Sequence, residues 1–346
     1  MQTHYYYRQL NKQQQAVYHA MLEGLTAVSA SFSVPRLTDK EIFEICFLVR
    51  LDHPELFYVE KISYRYYDHA DSVEIVPVYL FDKKKIKTHQ QAMKARVEKL
   101  TRPVMQLSKV EQLLYIHDFI CQNITYDKLK KQYSHEIIGP LGQGVGVCEG
   151  IAKTVKILCD TLGIGCVIAI AEANPDKQIK YRHAWNIVEL DGVYYHLDAT
   201  FDNSLSNDDI IRYDYFLLDD AHIFRDHEPL VWKIPACTNG ENSYYRQKKL
   251  SFTRMEDVQK RASQAVKKGK PLIFHWRGGG LSKDSLHQIL QCIEDEAKLK
   301  NKHSRISVNL PQAVFQISFQ DQPQETVVQE SVDVEGNVVQ EEITHE

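Results

Sequence analysis

At 346 residues, with 43% hydrophobic side chains and a net charge of −4, the chain can bury a sizeable core as two or three modules and lacks the basic excess of a nucleic-acid binder. Seven cysteines, an odd number without Cys-x-x-Cys spacing, suit a reducing compartment and argue against a disulfide framework or a structural zinc site. No stretch reaches membrane-spanning apolar length and the polar N-terminus lacks a signal-peptide hydrophobic region, so a cytoplasmic location is the default, replaced by a secreted or cell-surface one if a leader precedes the sequence.

Residues 1–104 read as an N-terminal α+β module. Asn11 and Thr38-Asp39-Lys40-Glu41 are helix starts, for helices near 12–25 and 39–50. Strands near 56–66 and 72–80 follow, then a helix near 88–101. The tyrosines at 5–7 and Tyr64, Tyr66 and Tyr67 fit a packed amphipathic surface better than a base-stacking platform. Lys83-Lys84-Lys85-Ile86-Lys87 reads as a solvated local cluster.

Residues 105–240 carry the chemistry. Ser108-Lys109-Val110-Glu111 opens a helix. Gly142-Gln143-Gly144-Val145-Gly146 is too glycine-rich for regular structure, and Cys148 follows it directly. Ile151, Val155, Leu158 and Leu162 then recur at helical spacing until Gly163 stops the helix. Cys148 therefore sits in a first turn, where free N–H groups and the positive dipole end favour a thiolate and can receive an oxyanion.

Asp191-Gly192, between Ile187-Val188-Glu189-Leu190 and Val193-Tyr194-Tyr195, predicts a two-residue hairpin pairing Leu190 with Val193. In that register His183 faces Thr200 and Trp185 faces Asp198, which places His183, Trp185, Asp198 and Thr200 on one face. His183 and Asp198 become diagonal neighbours. His196, opposite Ile187, is expected on the other face, so the geometry selects His183. Apolar segments at 166–172 and 212–218 are strand candidates flanking the hairpin. A thiol, an imidazole and a carboxylate in this order are the parts of a cysteine nucleophile site: thiolate Cys148, base His183 and orienting acid Asp198.

Residues 245–321 suggest a small α+β appendage without a functional motif. It has a helix from Thr253-Arg254-Met255-Glu256, a strand at 271–276, a helix near 283–299 and a strand near 304–319. Residues 322–346 read as an acidic tail or an edge hairpin around Glu335-Gly336-Asn337. Gly144-x-Gly146 lacks the preceding strand and third glycine of a dinucleotide fingerprint, and no calcium loop is evident.

These residues resemble a known family. Gly146-Val147-Cys148-Glu149-Gly150, His183-Ala184-Trp185-Asn186 and Tyr195-His196-Leu197-Asp198-Ala199-Thr200-Phe201-Asp202 look like the transglutaminase-like superfamily core. Ile116-His117-Asp118-Phe119-Ile120 and Asn123-Ile124-Thr125-Tyr126-Asp127 match the preceding helix in bacterial members, and Asp52-His53-Pro54-Glu55-Leu56-Phe57-Tyr58 adds a weaker N-terminal match. The resemblance implies a papain-like α+β core, the Cys helix packed on an antiparallel sheet, and the triad Cys148, His183 and Asp198. Phe201 stands where many bacterial relatives have Trp.

The Cys148 N–H is expected to supply one oxyanion donor, with the Gln143 side chain or Tyr126 as the second. Trp185 is expected to shield the His183–Asp198 bond, and Gly146 and Glu149 to line the substrate path. The expected reaction is acyl transfer through a Cys148 thioester. A protein or peptide glutamine or amide carbonyl would be the donor, and a lysine amine (transamidation) or water (hydrolysis) the acceptor, with no metal or cofactor. The alternative is an inactive peptide-binding or scaffold module.

Overall fold

Helix α1 (Lys12–Thr26) begins at Asn11 and α2 (Asp39–Asp52) at Thr38. Each cap accepts from the N–H three residues on, while Gln14 or Glu41 reaches back to the cap's own N–H. Such reciprocal caps contribute about 1 kcal/mol each. Strands β1 (Phe32–Pro35), β2 (Val59–Tyr66) and β3 (Ser72–Tyr79) form an antiparallel sheet in the order β1-β3-β2. Helix α3 (Lys83–Thr101) starts ahead of the expected 88 because Asp82 accepts from the Lys85 N–H, which turns the lysine run into its first turns.

The computed structural model describes residues 4–67, 69–207, 210–321, 327–332 and 338–343. The chain divides into two units, Met1–Gln247 and Lys248–Glu346.

In the first unit α4 (Lys109–Asn123) begins at the expected Ser108 capping box. The two-residue strands β4 (Thr125–Tyr126) and β5 (Val145–Gly146) pair in parallel. The glycine-rich stretch is thus more regular than expected. Gly139–Gln143 forms a π turn, Gly144 turns the chain at φ 66°, and the carbonyls of Gly144 and Gly146 accept from Thr125 and Asp127. Helix α5 (Cys148–Thr161) follows immediately.

β6 (Cys166–Ala171), β7 (His183–Leu190), β8 (Val193–Leu197) and β9 (Phe216–Leu218) form an antiparallel sheet in chain order. Asp191 and Gly192 both adopt positive φ, 51° and 83°, the mirror-image turn that matches strand twist. Leu190 pairs with Val193 and Ile187 with His196, the expected register. Regular pairing ends at Asn186 and Leu197, however. Asp198 accepts from the N–H groups of Thr200 and Phe201 and so caps α6 (Ala199–Leu205), which takes Thr200 out of the sheet. The 212–218 candidate shortens to β9, after which come α7 (Asp220–Ile223) and α8 (Tyr244–Gln247).

The sheet is buried on both faces. Ile151, Val155 and Leu158 of α5 share one core with Val188, Leu190 and Leu197, and with Val17, Ile45 and Phe57 from the N-terminal region. Trp185 and Ile187 face the other way, into a core with Ile223, Ile234 and Cys237.

The second unit is a four-stranded sheet, β10-β11-β13-β12 in order. It comprises β10 (Ser251–Phe252), α9 (Met255–Lys268), β11 (Leu272–Trp276), α10 (Lys283–Lys298), β12 (Lys302–Asn309) and β13 (Val314–Asp321). The strand expected near 304–319 is a hairpin, because Pro311 offers no ladder N–H and Ala313 turns the chain at φ 49°. β14 (Val327–Val332) pairs antiparallel with β15 (Val338–Ile343), while the expected turn at Glu335-Gly336-Asn337 lies outside the described residues. No described helix is long and apolar enough to cross a membrane.

Candidate active site

Cys148 is the first residue of α5, and Val147 before it offers no side-chain cap to the first-turn N–H groups. Those groups and the positive end of the dipole lie at the same end of the helix as Cys148. Gly150 brings the chain against this turn, since a Cβ there would lie 2.2 Å from the Ser134 carbonyl oxygen. Cys148 and His183 line one cleft of about 510 Å³ with Tyr126, Glu149, Phe201 and His227.

His183, at the start of β7, places Nε2 2.6 Å from Oδ2 of the fully buried Asp198. Cys148 stands beside His183 in the same cleft, near enough to help raise the imidazole pKa. With Nε2 committed to the carboxylate, Nδ1 is the ring nitrogen that remains for other partners. Burial pulls the imidazole pKa down, but the Asp198 charge and hydrogen bond, then Cys148, outweigh it and push it up to about 10. For Asp198, burial favours the acid form. His183 and His227 overcome it and hold the carboxyl well below the usual range.

The structure brings Cys148, His183 and Asp198 together, although Asp198 reaches His183 as a helix cap rather than from the ladder. Trp185 stacks on His183 with centroids 5.7 Å apart and planes at 18°, and Phe201 packs tilted against it at 4.8 Å. Tyr126 lines the cleft, and burial with Cys148 nearby pushes its pKa up to about 12, so the phenol keeps its donor proton. Gln143 is exposed and does not line the cleft. Glu149 lines it but is tied to Lys153 at 2.7 Å and His135 at 3.3 Å. Gly146 is buried beneath, where a Cβ would meet Pro140 at 2.8 Å.

The expected placement of His196 on the opposite face is corrected. Directly opposed residues of an antiparallel ladder share a face. His196, paired with Ile187, therefore lies on the side of Trp185, and its Nδ1 accepts from the Trp185 indole N–H at 2.9 Å. Its Nε2 donates to Asp220 at 2.8 Å, and burial pushes its pKa down to about 4.

The residue that sequence reasoning missed is His227. Its Nε2 lies 2.9 Å from Asp198 Oδ2, the oxygen already taken by His183, and its Nδ1 lies 2.9 Å from Asp226. It sits in an irregular segment after α7 with no periodicity to mark it, and the faint signal was an Asp-His-Glu run at 226–228.

Among the described residues two groups bring metal-binding atoms close together: His183, Asp198 and His227, and His196, Asp220 and Cys237. Ligands of a tetrahedral zinc lie roughly 3.3 Å apart, given bonds of about 2.0 Å. The 2.6 and 2.9 Å contacts to Asp198 are shorter than that and are hydrogen bonds. In the second group the Trp185 N–H already occupies His196 Nδ1, so metal at Nε2 would require an imidazolate.

A helix-start thiol shares a cleft with an imidazole backed by a buried carboxylate, on an antiparallel sheet packed by that helix, in an α+β fold. Residues 94–199 match the family model of the transglutaminase-like superfamily. That match covers about a third of the chain and falls on the segment that holds α4, α5 and the β6–β8 strands. The mouse (Mus musculus) Kyphoscoliosis peptidase is 24% identical over 169 residues, 43% of this chain and 26% of the mouse protein. The chain thus spans well under half of that relative. The crystal structure of a TGase is similar at 13% identity and a TM-score of 0.28, over 41% of this chain and 44% of that one.

Proposed function

We propose that the protein is a cysteine-dependent acyl-transfer enzyme acting on a protein or peptide amide through a thioester on Cys148. The observation that carries this reading is the placement of His183, which lines one accessible cleft with Cys148 and lies 2.6 Å from the buried Asp198. His183 takes the thiol proton, and the thiolate attacks the amide carbonyl carbon. Negative charge collects on the carbonyl oxygen, within reach of the Cys148 N–H and the Tyr126 phenol. Collapse of that intermediate breaks the C–N bond, and the leaving nitrogen takes its proton from His183. The acceptor then gives His183 a proton as it attacks the thioester, and the thiolate departs. The name of the mouse peptidase supports water as acceptor. A lysine amine would use the same steps and yield a cross-link.

Intact-mass analysis with glutamine-bearing and lysine-bearing peptides, with and without iodoacetamide, tests the reading. A thiol-dependent acyl adduct followed by peptide cleavage supports hydrolysis, and one followed by amine incorporation supports transamidation. An unreactive Cys148 and no product across a broad panel would favour the inactive binding module.

A further inference from the structure

We propose that His227 is a positioning residue of this site, a second imidazole that holds the same Asp198 oxygen as His183 and limits how tightly that carboxylate retains the His183 proton. This inference rests on reading His183 as the base.

Five groups join in a chain. His183 Nε2 and His227 Nε2 lie 2.6 and 2.9 Å from Asp198 Oδ2, His227 Nδ1 lies 2.9 Å from Asp226 Oδ1, and the Tyr215 hydroxyl donates to Asp226 Oδ2 at 2.5 Å. Both nitrogens of His227 face carboxylate acceptors, which requires a proton on each and makes the ring a cation. Burial opposes that charge, and the bonds to Asp198 and Asp226 outweigh it. The other Asp198 oxygen accepts from Thr200 and Phe201, so neither oxygen can rotate away.

The ring's other neighbours argue against simple packing as the reason for a histidine. Trp185, Phe201 and Tyr215 surround it at centroid distances of 4.9, 4.6 and 5.6 Å, a setting in which phenylalanine would pack as well. The titratable groups facing it are Asp198, Asp226, Tyr215, His183 and, beyond Trp185, the neutral His196. Glu228 is turned away toward Asn174 and Lys177.

Two consequences follow for the chemistry. Asp198 is clamped in one orientation, and the His183 and His227 cations, 5.4 Å apart by ring centroid, repel through the carboxylate they share. The repulsion makes the His183 imidazolium a stronger acid. That matters because the same proton must be released to the leaving nitrogen.

The experiment follows iodoacetamide alkylation of Cys148 in the full chain by peptide mass mapping across pH 4–11. His227→Phe, which keeps the packing, should lower the plateau rate about tenfold and move the alkaline inflection, where His183 loses its proton, upward by on the order of one pH unit. His227→Gln keeps one N–H for Asp198 and should recover most of the plateau while retaining the upward shift. Asp226→Asn leaves the packed ring in place and should shift the inflection the same way by less, which decides the matter if the ring variants fail to fold. Wild-type plateau and inflection in His227→Phe and Asp226→Asn would overturn the inference. His183→Ala separates the two readings. If it flattens the profile while the His227 and Asp226 variants match wild type, only the role of His227 falls. If it leaves the profile unchanged, the assignment of His183 as base falls as well.

Discussion

Two of the first unit's groupings of a thiol, an imidazole and a carboxylate differ in nearly everything except residue type. In one, Cys148 opens α5 beside His183 and Asp198 at the cleft. In the other, Cys121 sits in the last turn of α4, with Sγ 3.8 Å from Nε2 of His117, which lies 3.0 Å from Asp202 Oδ2. Helix α6 serves both, Asp198 as its cap and Asp202 from within. The Cys148 thiol meets the positive end of a helix dipole, whereas Cys121 meets the negative end. His183 opens to the cleft, whereas His117 is fully buried and stacked on Tyr213 at 4.8 Å. Asp202 also accepts from the Tyr215 N–H at 3.1 Å, so its grouping pins α6 to α4 and to the approach to β9. A buried His–Asp bond thus occurs here in two settings, and dipole polarity and access to the cleft are what separate them.

Replacing the thiols gives the largest contrast. Cys148→Ala should abolish acyl-adduct formation, a loss of about 10³-fold or more, while Cys121→Ala should stay within about twofold of wild type in the same intact-mass assay. Equal losses would erase the distinction.

The two carboxylates come next. Asp198→Asn should leave the fold intact and reduce turnover by about 10²–10⁴-fold, because an amide can donate where the carboxylate only accepts and so disturbs the imidazole tautomer. Asp202→Asn should instead lower stability by about 1–3 kcal/mol, read as a denaturation midpoint, with the pH dependence of Cys148 alkylation unchanged.

His196→Ala should have a smaller effect of both kinds. Losing it leaves the buried Trp185 N–H without its acceptor, at a cost of about 1–3 kcal/mol. Loosening the ring that stacks on His183 should slow Cys148 alkylation a few-fold. Unchanged stability and alkylation would mean that Trp185 does not depend on His196.

The pH dependence of stability is the finest test. His183 titrates near 10 in the folded chain against 6.5 for the free side chain, so its stabilisation is complete below about 6.5 and is lost as pH rises through 10. Asp198 is depressed from 3.8, so its share is present above that value and is lost as pH falls through its folded pKa. The melting-temperature advantage of wild type over His183→Gln should therefore be greatest between about pH 4 and 6.5 and shrink on the alkaline side. An advantage that grows toward pH 10 would contradict the His183–Asp198 pairing.

Features written within a few residues of one another were legible in the sequence itself: the caps at Asn11, Thr38 and Ser108, the helix beginning at Cys148, and the Asp191-Gly192 turn with its register. Each follows from local hydrogen bonding, side-chain period or the φ that a turn demands, so a short window contains the whole cause. Tertiary structure decided what those windows omit. Asp198 leaves the strand to cap α6, since two backbone N–H groups there compete successfully with continued ladder pairing. His196 shares the face of Trp185 because ladder partners lie on one side, and only the folded sheet shows which polar groups meet there. His227 arrives 29 residues after Asp198 on an irregular segment, and nothing in its own neighbourhood specifies that carboxylate. Its position depends on how the segment after α7 packs over the odd-numbered face of β7, a contact that exists only once the sheet and both of its cores have assembled.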